Sequence, residues 1–174
     1  MTSSNIKDQA IIGRNVKISF GVLAADVPAK VDTGADNSAV WASNIRVGKD
    51  GVLRFSLFGE GSPYYTGKLI KRTEYSVAAV RSASGHQVIK YRTYFTIRIG
   101  GRKIRVLFGL SDRSLHNFPV LIGRRTLHKG RFLVDVRKGE IDSVKQKYTQ
   151  KLNRELKRNP HKFYKKYHKE RLEK

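Results

Sequence analysis

Residues 29–40 join an acidic residue to a glycine turn at the end of an apolar run, an arrangement that can carry hydrolytic chemistry. The segment is Ala-Lys-Val-Asp-Thr-Gly-Ala-Asp-Asn-Ser-Ala-Val, so Asp32 is followed at once by Thr33, Gly34 and Ala35. A glycine here permits a tight turn and a close approach of the backbone to a neighbour or a ligand. The carboxylate can then be rigid, half-buried and directed at a cleft. The tripeptide alone leaves a simple surface turn open as the alternative.

A second informative segment, residues 118–127, is an apolar run that ends in Gly123 and Arg124. Its sequence is Phe-Pro-Val-Leu-Ile-Gly-Arg-Arg-Thr-Leu. The pattern predicts a buried strand that passes directly into a short helix.

Together the two segments resemble those of the retropepsin-like aspartic proteases. That family carries Asp-Thr-Gly-Ala after one strand and an apolar-apolar-Gly-Arg turn about ninety residues later, as this chain does. In its retroviral members a second Asp, four residues after the catalytic one, pairs with the Arg of the Gly-Arg turn. Asp36 and Arg124 occupy those two positions.

Over residues 10–140 the chain is more similar to a bacterial branch of that family, formerly labelled ATP-dependent zinc proteases. The branch is often encoded beside glutamate-ligating ATP-grasp enzymes. Its motifs occur here in the same order and are Ile12-Gly13-Arg14, Lys-Val-Asp-Thr-Gly-Ala, Ser84-Gly85-His86, Gly-Arg-x-x-Leu and the run Gly-Arg-Phe-Leu-Val-Asp at 130–135.

The resemblance implies a mainly β protein with a closed barrel of the acid-protease fold and a short helix after the Gly-Arg turn. It implies that Asp32 is catalytic, and that Thr33, Gly34 and Ala35 support the active-site turn. Asp36, Gly123 and Arg124 would be structural. The implied flap, which would close over an extended peptide, consists of Ser82, Ala83, Ser84, Gly85 and His86.

The number of Asp-Thr-Gly motifs has a consequence for assembly. Aspartic proteolysis needs two carboxylates that share a proton, and the chain has one Asp-Thr-Gly and no Asp-Ser-Gly. The second carboxylate would come from another copy, so the resemblance implies a homodimer with two-fold symmetry.

Two features depart from the bacterial branch. That branch usually has a basic residue at the position of Asp36, and the chain after about residue 141 has no counterpart. The zinc label finds no support either, because the sequence contains no His-Glu-x-x-His and no cysteine, and its five histidines are isolated. We therefore expect no metal and no cofactor.

The body of the chain shows the period-two alternation typical of strands. Over residues 89–99 one face carries Ile89, Tyr91, Thr93, Phe95, Ile97 and Ile99. Gly100-Gly101 predicts a hairpin turn to a strand at 103–108, and residues 75–80 and 88–99 predict a second hairpin. Further strands are predicted at 10–20, 27–31, 52–58 and 132–136. Trp41 is assigned to the core in the strand after the active-site turn, and Asp112 and Asp135 to surface or turn positions.

The period changes after residue 140, which predicts a protease domain at 1–140 and a basic helical extension at 141–174. Apolar residues recur every three or four positions from Ile141 to Leu156, with Asp142 or Ser143 as the cap. Asn159-Pro160 breaks this pattern, and a second helix follows as far as Leu172.

The formal charge of +22 favours acidic partners. Residues 144–174 carry 12 Lys+Arg and 3 Asp+Glu. Three interpretations stay open: a basic cleft that attracts acidic or glutamyl-tailed peptides, an RNA or ribosome contact through the tail, and a merely solvated charged face. The absence of cysteine excludes disulfides and a Cys nucleophile. No run of about 18 apolar residues predicts a membrane span, and residues 1–10 do not resemble a secretion signal, so we expect a cytoplasmic protein.

The sequence therefore predicts a cytoplasmic aspartic endopeptidase that acts as a homodimer. The alternative is a basic nucleic-acid- or ribosome-associated protein that retains the protease fold without proteolysis.

Overall fold

The computed structural model describes residues 9–81, 87–139 and 143–168. The predicted flap residues Ser82, Ala83, Ser84, Gly85 and His86 lie outside these ranges. The strands before the flap position are β1 (Ala10–Gly13), β2 (Asn15–Ser19), β3 (Val27–Asp32), β4 (Ser38–Val47), β5 (Leu53–Leu57), β6 (Leu69–Arg72) and β7 (Tyr75–Arg81). The elements after it are β8 (Gln87–Ile99), β9 (Arg102–Ser111), β10 (Val120–Gly123), α1 (Arg124–Lys129), β11 (Phe132–Asp135), α2 (Ser143–Arg158) and α3 (Pro160–His168).

Six strands close into a barrel in the order β10, β3, β2, β8, β9 and β4, and the pairing of β4 with β10 completes the ring. Strands β5 and β6 extend the sheet from β4, β7 pairs with β8, and β1 and β11 form a separate parallel pair. Closure leaves the barrel strands no free edges, which is how small all-β proteins satisfy their backbone.

Strand β10 lies between β3 and β4, the two strands that flank the Asp-Thr-Gly turn. It runs parallel to β3, with Gly123 opposite Asp32, and antiparallel to β4, with Val120 opposite Val40. The two segments that the sequence singled out are therefore neighbours in the sheet.

The barrel interior is apolar and aromatic. Three rings pack against one another with their centroids 5.4–5.9 Å apart, those of Phe20, Phe95 and Phe108. Phe95 meets each of the other two edge to face, and Phe20 and Phe108 are tilted relative to each other. The β3 residues Val27 and Ala29 are fully buried. Because such a core is close-packed, the end of β3, which carries Asp32, is held rigidly.

The Gly100-Gly101 turn has the predicted hairpin geometry. Ile99 pairs with Arg102, and both glycines have positive φ, 52° and 77°. A two-residue hairpin loop of this kind needs positive φ at both central positions, which glycine adopts without strain.

The segment 10–20, expected to be one strand, is two. β1 pairs with β11, whereas β2 pairs with β3 and β8. The chain changes partners at Gly13, where a Cβ atom would lie 2.6 Å from the carbonyl oxygen of Lys138. Strand β6 was not predicted at all, since its four residues include two cations and show little alternation.

The described residues form two compact units, one up to Gly139 and one from Glu140 onward. The second contains α2 and α3, separated at Asn159 where the sequence predicts a break. Asp142 and the predicted end at Leu172 fall outside the described residues, and α2 begins at Ser143. Among the described helices, none has the length and apolar character needed to span a membrane.

Candidate active site

Asp32 is the last residue of β3 and is half-buried. Val31, which precedes Asp32, is 8% exposed. Gly123, the β10 residue that pairs with Asp32, is buried. The chain turns immediately afterwards, so the carboxylate lies at the boundary between the barrel wall and solvent.

The turn itself fixes one oxygen of the Asp32 carboxylate. Oδ1 accepts hydrogen bonds from the backbone N–H groups of Gly34, at 3.1 Å, and Ala35, at 3.2 Å. Within the described part of the chain, Oδ2 has no hydrogen-bond partner. Thr33 and Gly34 are exposed beside it. The arrangement presents an oriented carboxylate with one oxygen free to bind a ligand.

The Gly-Arg turn is joined to the Asp-Thr-Gly turn by two backbone hydrogen bonds. The N–H of Arg124 donates to the carbonyl of Ala35 at 2.8 Å, and that of Arg125 donates to the carbonyl of Asp36 at 3.2 Å. These are N–H groups at the start of α1 that have no partner within the helix. The position of the Asp-Thr-Gly turn is therefore tied to β10 and α1 through the backbone.

Asp36 and Arg124 form an ion pair, with Oδ1 and Nη2 2.6 Å apart. The two side chains are 49% and 65% exposed. An ion pair this exposed stabilises a fold by roughly 0–1 kcal/mol. We therefore infer that this pair orients the turn and adds little to the stability of the barrel.

Sequence reasoning missed Ser38 and Thr126, which form a buried polar knot under the turn. Their hydroxyls are 2.7 Å apart, and the Ser38 Oγ also accepts the N–H of Gly123 at 3.0 Å. Each residue is 2% exposed. The only sequence signal is position: Ser38 begins the strand after the turn, and Thr126 lies within the Gly-Arg-x-x-Leu motif.

Replacing Ser38 with Ala is expected to lower the free energy of unfolding by about 1–3 kcal/mol, because the Gly123 N–H and the Thr126 hydroxyl would be buried without this partner. Urea unfolding measures the loss. Ser43→Ala is the matched control. The Ser43 hydroxyl donates to the carbonyl oxygen of Phe58 over 2.6 Å, and neither residue belongs to the Asp-Thr-Gly turn. A free energy of unfolding that is unchanged in Ser38→Ala, or lowered no more than in Ser43→Ala, would contradict a role for the Ser38 knot in supporting the turn.

Other residues considered from the sequence lie apart from this turn. Asp112 accepts the N–H of Ser114 at 2.9 Å, and this bond, with that from the Ser114 hydroxyl, lowers the pKa of the carboxyl. Asp135 is held by Arg137, whose guanidinium lowers the pKa of that carboxyl. Trp41 is half-buried and packs against the core instead of lying wholly within it.

A closed six-stranded barrel that holds an Asp-Thr-Gly turn against a Gly-Arg turn is the architecture of a retropepsin-like protein. A family model described as "Retropepsin-like aspartic endopeptidase RimB" matches residues 11–145. The chain belongs to this RimB-like family, and the predicted family and fold are confirmed.

Among solved structures, the chain is similar to the crystal structure of Lpg0085, a protein of unknown function from Legionella pneumophila. The two share 23% identity with a TM-score of 0.60, and the match covers 74% of this chain and 95% of that one. This similarity shows the shared fold. No curated protein matches the chain significantly.

Proposed function

We propose that the protein is an aspartic endopeptidase whose catalytic pair consists of Asp32 from each of two copies. The observation that carries the proposal is the Asp32 carboxylate, mounted at the end of a buried strand with Oδ1 bound by two backbone N–H groups and Oδ2 free. The family to which the chain belongs is one of aspartic endopeptidases.

The sequence contains one Asp-Thr-Gly motif, so a single copy supplies one carboxylate in this setting. Asp36, the nearest acidic residue in the chain, is engaged with Arg124. The exposed residues Thr33 and Gly34 leave the turn accessible to another molecule. A second copy placed across a two-fold axis would bring an identical turn to the first, and this arrangement supplies the missing carboxylate.

In that dimer the two carboxylates hold one proton between them, because two negative charges at contact distance are costly. The ionised Asp32 removes a proton from a bound water, whose oxygen attacks the peptide carbonyl carbon. The protonated Asp32 donates its proton to the carbonyl oxygen. When the C–N bond breaks, the Asp32 that took the proton from water gives it to the leaving nitrogen. A hydroxyl of the tetrahedral intermediate returns its proton to the other Asp32 as the product carbonyl forms, so the pair again holds one proton.

We propose further that acidic peptides are preferred substrates. Lys30 is exposed two residues before Asp32, and Arg125 is exposed at the start of α1, where its backbone N–H is bonded to the turn. Arg125 and Lys129 also line a cavity of about 210 Å³ beside Asn37. A cleft flanked by cations concentrates anionic ligands and accelerates their association.

The test uses peptides that share one scissile sequence flanked by oligo-Glu, oligo-Gln or oligo-Lys. Products are followed by mass spectrometry from pH 4 to pH 8, with and without a chelator. We expect kcat/KM to be highest for the Glu series, by about tenfold over Gln at low salt, with the advantage shrinking as salt rises. Equal cleavage of the Glu and Lys series would contradict the acidic preference and leave the aspartic mechanism standing.

A further inference from the structure

The helical pair α2–α3 carries a dense positive charge that the proposed peptidase activity does not use. Residues 150–167 include seven cations and one acidic residue, Glu155. The cations are all exposed, and they are Lys151, Arg154, Lys157, Arg158, Lys162, Lys165 and Lys166. On a helix, residues three or four apart are neighbours, so Arg154, Lys157 and Arg158 form a continuous row on α2.

The two helices are held together by the single carboxylate among these cations. Glu155 Oε2 accepts bonds from Lys166 Nζ at 3.1 Å and from the Tyr167 hydroxyl at 3.0 Å. The hydrogen bond from Lys166 and, to a smaller extent, the one from Tyr167 hold the pKa of the Glu155 carboxyl below its usual range. The carboxylate is therefore ionised at neutral pH and joins α3 to α2.

The bend between the helices is also ordered by its own hydrogen bonds. The Asn159 side chain accepts the N–H of Lys162 at 2.9 Å, which caps α3, and the Asn159 carbonyl accepts the N–H of Phe163 at 3.0 Å. The cations on the two helices consequently have a fixed spacing and do not lie on an unstructured tail.

A cleft of about 470 Å³ opens at this bend. Arg158, Lys162 and Lys166 line it, and Phe163 forms an apolar wall. Glu155 is already occupied by Lys166 and Tyr167. Arg158 and Lys162 form no ion pair with any described residue, so both remain available to an anion.

Aromatic rings lie among the same cations. Tyr164 and Tyr167 are 47% and 40% exposed. The rings of Phe163 and Tyr167 are 4.6 Å apart, and Lys166 Nζ lies 4.9 Å from the centre of the Tyr167 ring. Exposed rings interleaved with cations are the features with which proteins bind the bases and phosphates of a single strand together.

We propose that the α2–α3 pair binds single-stranded nucleic acid, with phosphates on Arg158, Lys162 and the neighbouring cations and an unpaired base on Tyr164. An acidic peptide would satisfy the cations but has no flat ring to stack on a tyrosine. A membrane surface would call for a broad apolar face, whereas among the described side chains of residues 150–167 the large exposed apolar groups are Leu156 and two tyrosines.

The test measures binding of fluorescent 20-nucleotide oligo(U) and oligo(dT) to the full chain by anisotropy between 50 and 300 mM salt. We expect R158Q/K162Q/K165Q to weaken binding at least tenfold at 50 mM salt. The slope of log affinity against log salt should shrink by about 2, since each phosphate contact on a single strand contributes about 0.7.

The matched control, K49Q/K68Q/K103Q, removes the same charge from exposed positions in the unit that contains the barrel and should change affinity less than twofold. Tyr164→Leu should weaken binding at least threefold while Tyr164→Phe, which keeps the ring, should not. Circular dichroism of every variant checks that its helical signal matches wild type.

Four results would overturn the proposal. They are no binding by wild type, an equal loss in the barrel control, no effect of Tyr164→Leu, and tighter binding of an oligo-Glu peptide or anionic phosphatidylserine vesicles than of either oligonucleotide. None of these readouts depends on peptide cleavage, so the peptidase proposal is unaffected by them.

Discussion

Replacing Asp32 with Asn is expected to abolish peptide hydrolysis, lowering kcat/KM by at least about 10³-fold. The amide cannot ionise, so neither copy can remove a proton from the attacking water, and losses of roughly 10²–10⁴ are typical when one acid–base group is removed. The fold should persist, because the Asn carbonyl can accept the same N–H bonds from Gly34 and Ala35 that Oδ1 accepts now. Initial rates on the best peptide of the Glu series, with unfolding curves for both proteins, measure the effect.

Asp112→Asn is the matched control for this variant. Asp112 is an exposed carboxylate that accepts a backbone N–H in its own turn, as Asp32 does, and its replacement should leave kcat/KM within about twofold. Activity that survives in Asp32→Asn would remove the aspartic mechanism. Activity that a chelator abolishes in wild type would also contradict it. Either outcome would mean that peptide hydrolysis follows another mechanism. Identical traces from wild type and Asp32→Asn with no cleavage by either would favour the alternative of a nucleic-acid-associated protein that retains the fold without proteolysis.

Replacing Gly123 with Ala is expected to have the second-largest effect, because the site has no room for a methyl group. A Cβ atom there would lie 2.6 Å from the carbonyl carbon and oxygen of Asn37 and 2.8 Å from the carbonyl oxygen of Ala35. All three are backbone atoms of the segment that follows Asp32, so this turn itself must move. Forcing an extra carbon into a packed site costs typically 1–3 kcal/mol.

For a chain of this length, a destabilisation of that size lowers Tm by about 2–4 °C per kcal/mol. We also expect kcat to fall at least tenfold in molecules that remain folded, since the displaced turn carries Asp32. Gly109→Ala is the control, because a Cβ there meets its nearest neighbour, the carbonyl oxygen of Ser38, at an ordinary 3.7 Å. Equal Tm and kcat for the two variants would contradict the close packing of β10 on the turn.

The parts of the site that the sequence predicts are those that depend on short segments. Asp32 and its glycine turn occupy adjacent residues, and the apolar run before Gly123 predicts a buried strand by itself. The Asp36–Arg124 pair followed from the family resemblance, and the side chains are 2.6 Å apart. The period-two alternation of residues 89–99 correctly predicted a strand.

The parts that the sequence does not predict depend on distant contacts. Ser38 and Thr126 are 88 residues apart, and a serine or a threonine is ordinary at a surface as well as in a buried knot. At the break between β1 and β2 the backbone of Lys138 lies against Gly13, a distant contact that no local pattern records. The alternation of apolar and polar residues along β8 also does not show how much of the strand is buried. Ile89 is 64% exposed, whereas Ile97 on the same face is 1% exposed.

The central claim, that one catalytic pair is shared between two copies, is tested most directly by a mixed dimer. Wild-type and Asp32→Asn chains with different affinity tags are co-expressed, and the heterodimer is isolated by two successive purifications. Its activity is compared per mole with that of both homodimers, and the tags are checked again afterwards to exclude exchange of subunits. A shared pair predicts that the heterodimer is as inactive as the Asp32→Asn homodimer. A heterodimer with about half the wild-type activity would mean that each copy works alone, and it would contradict the shared pair.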